Sequence, residues 1–195
     1  MIATTVFTTR YWKNAFNATL AALLMLALVP GLSAADGIEV RSAELKLVDD
    51  AYVLNADISV NLHRQLEVAL KKGLVLHFQT DFELDRPRSW WFAESITDAT
   101  RTSILSYHLL LRRYYLETNY ALKTYDTLAE ALEALGHIDG WQVAEKKMLD
   151  PTESYRGELR LRLDLSKLPE AIQMNALADG KWQAEGKWYV WKIQP

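Results

Sequence analysis

No cysteine occurs in the 195 residues. That excludes a disulfide framework, a lipid-modified cysteine, a thiolate nucleophile and cysteine metal ligands. The eight glycines and five prolines are scattered, and no glycine-rich phosphate loop or G-x-S-x-G nucleophile turn appears. The four histidines, His63, His77, His108 and His137, share no ligand spacing, which argues against a metal site. Acidic residues are missing from the first 35 positions, where Arg10 and Lys13 are the only charges. Beyond them 20 basic side chains face 25 acidic ones, a balance near −5 that argues against nucleic acid as a partner. These absences together predict a protein that is not an enzyme and carries no cofactor.

What is present begins with an export pattern. Arg10 and Lys13 form a basic start, Ala18 to Val29 an apolar run, Pro30-Gly31 a helix break, and Ser33-Ala34-Ala35 the small residues a signal peptidase reads. Cleavage is expected after Ala35, leaving residues 36–195 as a single periplasmic domain. The rival is an uncleaved inner-membrane anchor, since no charge falls between Lys13 and Asp36. A spanning helix wants about 20 mainly apolar residues, and Asn17, Thr19, Pro30 and Gly31 shorten this one.

From Asp36 the pattern is β. Val40 is apolar, then Ala43, Leu45 and Leu47, so the register switches once and predicts a bulge. Asp49-Asp50-Ala51 reads as a turn, and Tyr52, Leu54, Ala56, Ile58, Val60 and Leu62 alternate with polar or small positions as a half-buried strand. A short helix follows with Asn61 as candidate N-cap and Gly73 as its stop. Leu74, Leu76, Phe78, Phe82 and Leu84 form the next apolar face, opposite a solvated face of Asp81, Glu83 and Asp85. Trp90 to Thr97 is read as strand on its aromatic and β-branched content. Asp98-Ala99 is the expected reversal before Arg101 to Leu116, a strand apolar on both faces over Ile104 to Leu111. Thr127 and Glu130 have capping-box spacing ahead of a second helix ending at Gly136. Trp141 to Leu149 is a strand. Tyr155, Leu159, Leu161, Leu163 and Leu165 make the best amphipathic strand, with Leu161 buried and Arg160 exposed. A loop-like stretch to Gly186 leads to a last strand, Lys187 to Ile193. The sum is a mainly β protein, an antiparallel β-sandwich of about eight strands with two short helices on connections.

One stretch stands above background. Asp81 to Glu117 holds Trp90, Trp91, three tyrosines and five arginines, without one lysine or glycine. Arginine offers a planar fork that stacks on rings and grips carboxylates, which lysine does not. Arg86, Arg88, Trp90, Trp91, Arg101, Tyr107 and Arg113 are therefore the candidate binding residues. The competing explanation is cross-strand packing, with arginine stems covering rings and their heads paired with Asp81, Glu83 and Asp85.

Ala69-Leu70 with Gly73, Phe82-Glu83-Leu84, Arg86-Pro87-Arg88, Trp90-Trp91-Phe92 and Leu105-Ser106-Tyr107-His108 make one group of marks. Asp164 to Leu168, Asn175-Ala176-Leu177 and the closing tryptophans make another. Together they resemble a family of exported proteobacterial proteins known only as a domain of unknown function. The resemblance covers nearly all of the chain after Ala35. It implies genes that often lie beside a nitrogen-regulation-type sensor kinase, and no activity or cofactor. The expected function is a periplasmic interaction or sensory-accessory module acting on another envelope protein, with such a kinase as first candidate. The alternative is a small-ligand carrier with an apolar pocket inside the sandwich. A filled core with an exposed aromatic–arginine patch favours the first, and an open lined pocket the second.

Overall fold

The structure, a computed structural model, describes residues 37–88, 93–178, 182 and 184–195. The expected signal segment, its cleavage point and the Trp90-Trp91 pair lie outside the described residues. Among those described, no helix is long and apolar enough to cross a membrane.

Among the described residues nine strands form two antiparallel sheets. The smaller joins β1 (Gly37–Val48), β2 (Ala51–Asn61) and β7 (His137–Glu145) in the order β1-β2-β7. The larger runs β6-β5-β4-β3-β8-β9, built from β3 (Leu76–Arg86), β4 (Glu94–His108), β5 (Arg113–Thr118), β6 (Ala121–Tyr125), β8 (Tyr155–Leu163) and β9 (Tyr189–Ile193). Helices α1 (Arg64–Lys71), α2 (Leu128–Gly136) and α3 (Glu170–Ala178) sit on connections. This is the expected β-sandwich, with one more strand and one more helix.

Each strand's alternation decides its inward face. Tyr52, Leu54, Ala56, Ile58 and Val60 of β2 are buried, as are Phe78, Phe82 and Leu84 of β3 and Leu159, Leu161 and Leu163 of β8. Each such Leu, Ile or Phe contributes about 1.5–3 kcal/mol when fully withdrawn from water. The register shift in β1 falls between Val40 and Ser42, where the apolar pattern switches. In α2 the capping box forms as its spacing predicts: Glu130 N donates to Thr127 Oγ1 at 3.2 Å and Thr127 N to Glu130 Oε2 at 3.2 Å. Gly136 is needed for close approach. A Cβ there would lie 1.9 Å from the Ile58 carbonyl oxygen, so α2 packs directly on β2.

Five local readings need correction. The α1 N-cap is His63, whose Nδ1 accepts from Gln65 N at 3.3 Å; Asn61 remains paired in β2. Asp98-Ala99 is no reversal, because β4 runs unbroken from Glu94 to His108 with Asp98 opposite Glu83 and Ala99 opposite Phe82. The apolar run to Leu111 is not one strand either. β4 ends at His108, and Leu109, Leu110 and Leu111 form an exposed hairpin tip. The segment Ala121–Tyr125, left unassigned by pattern, is edge strand β6. The stretch read as a loop after Pro169 contains α3.

Candidate functional site

The described candidate residues do not form one surface. At the start of β4, Arg86 and Arg88 both close on Glu94, at 3.5 and 2.6 Å, and the Arg86 guanidinium lies 5.9 Å from the Tyr155 ring centre. At the far end, Tyr107 packs on Tyr114 with ring centres 4.8 Å apart, and Arg113 pairs with Asp126 at 3.0 Å. Thirteen strand positions separate Glu94 from Tyr107, about 40 Å of strand at about 3.3 Å per residue. At both ends the arginines are answered by carboxylates, but by Glu94 and Asp126 and not by the expected Asp81, Glu83 and Asp85.

Arg101 differs. It sits mid-strand opposite buried Thr80, so it projects from the inward face of the larger sheet. Around it the sandwich is unequal. Six strands face three, and at about 4.8 Å per strand the larger sheet overhangs by about 14 Å. Helix α2 covers part of the overhang, and the remainder is an open cleft of about 690 Å³. Its floor is the inward row of β4, β5 and β6, with Arg101, Thr118, Lys123 and Tyr125. Its wall is the free edge strand β7, with Asp139 and Trp141.

Burial pulls the Arg101 guanidinium below its ordinary pKa. Water is withdrawn from its charge, and among the described residues no carboxylate lies within ion-pair distance to compensate. Arginine nevertheless stays protonated at any physiological pH. The wall opposite is shaped by a bulge. The β2–β7 register shifts between Leu54 and Ala56, Gly140 takes φ +62°, and its N–H donates to Asn55 Oδ1 at 2.8 Å. A bulge re-aims neighbouring side chains and blunts an edge strand. At the rim, Asn119 and Tyr120 form the two-residue β5–β6 turn with φ of +49° and +64°, the paired left-handed geometry that such tight hairpins require. Tyr120 adopts it without glycine's freedom and is 98% exposed.

The outer face of the larger sheet is the opposite case. Asp81, expected on a solvated face, is nearly buried. Its carboxylate accepts from Arg160 at 3.2 Å, Arg162 at 3.0 Å and Gln79 at 2.6 Å. Desolvation raises its pKa, but the Gln79, Arg162 and Arg160 bonds outweigh that and hold it below the usual carboxylate value. Arg160, expected exposed, lies 4.4 Å over the Trp188 ring and also reaches Glu185 at 2.7 Å. Asp85 binds Arg156 at 3.1 Å. Glu83 is the exposed member, and desolvation together with Glu158 and Asp85 pushes its pKa up.

Lys123, Tyr125, Asp139 and Trp141 were not singled out in the sequence. Ala121, Lys123 and Tyr125 share a face, but Lys123 falls in that set and Leu122 in the other, so the apolar–polar alternation that marks a strand is missing.

The family model described as domain of unknown function (DUF4390) matches residues 35–192. The chain belongs to that family. The match takes in both sheets and every residue named in the cleft, so the cleft lies within the family domain. Arg86-Pro87-Arg88 and Leu105-Ser106-Tyr107-His108, which carried the resemblance, fall inside it as well. No curated protein and no solved structure matches the chain.

Proposed function

We propose that the chain is a non-enzymatic interaction module of the periplasm that receives an anionic segment of another envelope protein in the cleft beside β7. The observation that carries this reading is Arg101, half-buried on the cleft floor with no carboxylate partner among the described residues. A desolvated cation of this kind is costly to the fold alone, and a carboxylate brought by a partner would compensate it with a forked, charge-assisted contact. Lys123 adds a second positive charge on the same floor, and Tyr125 and Trp141 supply the ring surface common at interface hot spots. Arg86, Arg88 and Arg113 take a structural part in this reading, since their charges are already met. The first candidate partner remains a sensor kinase with a periplasmic region, as the family resemblance implied.

The carrier alternative is weaker. The volume would suit a small ligand, yet the lining mixes charges with rings instead of forming an apolar pocket. The test pairs two measurements on Arg101→Glu and Arg101→Lys. With the kinase's periplasmic region as bait, capture should vanish for Glu and weaken for Lys, which keeps the charge but loses the fork. Melting temperature should hold in both. Undiminished capture by Arg101→Glu would reject the cleft as the binding site.

A further inference from the structure

The feature this reading leaves unused is the β4–β5 hairpin tip. Three consecutive leucines occupy it, with Leu109, Leu110 and Leu111 exposed by 61%, 90% and 59%. Turn chemistry does not ask for them, since such loops favour Gly, Asn, Asp and Ser. Nor is the tip loose. Arg112 N donates to the His108 carbonyl at 2.8 Å, Leu111 N donates to His108 Nδ1 at 3.2 Å, and Arg112 closes the turn at φ +53°. The leucines are thus held outward by a braced turn.

Charge at the same end of the sheet identifies the occupant. Strand β3 starts at Leu76 opposite Leu105, three positions before β4 ends. The α1–β3 corner therefore lies at the tip's end of the sheet, and it carries exposed Lys71 and Lys72. Neither lysine nor Arg112 makes an ion pair among the described residues. Of the acids nearby, Asp126 is taken by Arg113, which leaves Glu67, half-buried near the Tyr114 phenol, as one negative charge against the three cations. A cation cluster on a domain of net negative charge, around a protruding apolar point, complements an anionic lipid surface. Apolar side chains can enter the headgroup–acyl boundary, about 5–10 Å deep, while lysines and arginines stay at the phosphates.

We propose that Leu109–Leu111 insert into an anionic phospholipid bilayer, with Arg112, Lys71 and Lys72 meeting the headgroups. This contact is separate from the cleft and does not depend on residues before Ala35. The cysteine-free chain allows a position-specific test on the full-length protein. Leu110→Cys and, as a control at the opposite end of β5, Tyr120→Cys are each labelled with a polarity-sensitive fluorophore. Vesicles of phosphatidylcholine with phosphatidylglycerol should brighten and blue-shift the label at 110 several-fold and leave that at 120 unchanged. Pure phosphatidylcholine, high salt or added Lys71→Glu and Lys72→Glu should abolish the response. No response at 110, or equal responses at 110 and 120, overturns the proposal, and a tip that docks only on protein would give the first of these results.

Discussion

The two faces of the six-stranded sheet use the same residue type in opposite ways. On the outer face Arg156, Arg160 and Arg162 each meet a carboxylate across the β3–β8 ladder, at 3.0–3.2 Å. On the inner face Arg101 stands opposite Thr80 and, among the described residues, meets none. Both faces cost desolvation. The outer one is compensated within the fold, whereas the inner one leaves a charge that a partner's carboxylate can satisfy. Strand register makes that difference: shifting a strand by one residue exchanges its faces. An arginine's role in a sheet follows from what pairing places across from it.

The comparison breaks most visibly at Asp81. Asp81→Ala leaves Arg160 and Arg162 facing one another without their shared acceptor, and should cost about 2–3 kcal/mol in urea unfolding. A loss no larger than that of an exposed acid would mean that the ladder is ordinary surface. Acid titration sharpens the same point. Since the fold holds Asp81 below its ordinary pKa, its contribution is complete above about pH 3.9 and is lost as pH falls through the depressed value. Asp81→Asn should flatten that part of the stability profile.

Arg160→Ala comes next, at about 1–2 kcal/mol, because it removes both an ion pair and a guanidinium stacked on Trp188. In a double-mutant cycle it should couple to Asp81→Ala by more than about 0.5 kcal/mol. Additive losses would separate the two residues energetically.

Smaller effects belong to the cleft. Tyr120→Gly relieves a left-handed backbone and should raise stability by up to about 1 kcal/mol. A loss would show that the exposed ring contributes to the fold. Arg101→Met should leave stability unchanged or raise it slightly, by less than about 0.5 kcal/mol, since it relieves the modest desolvation cost of a half-exposed charge and keeps the volume. A drop like that of Arg160→Ala would move Arg101 into the structural class and leave the cleft without its main cation.

Local rules were enough for much of the fold. Period-two alternation from Tyr52 to Val60 and from Tyr155 to Leu163 placed two inner faces, because a pleat sends successive side chains to opposite sides. The broken alternation after Val40 located a bulge, and Thr127 with Glu130 marked a helix start through donors and acceptors only three residues apart. These features depend on neighbours close in the chain. Other features were decided by distant pairing. Asp98-Ala99 looks like a turn until Glu83 and Phe82 pair with it, and Leu109 to Leu111 look like core until the chain reverses at His108. Asp81 reads as solvated because Arg160 and Arg162 lie about 80 positions away. The clustering of arginines with rings was visible in composition, yet only the tertiary fold separated Arg101 from the rest. Three strands cannot cover six, and the overhang that results leaves its charge at the floor of an open cleft.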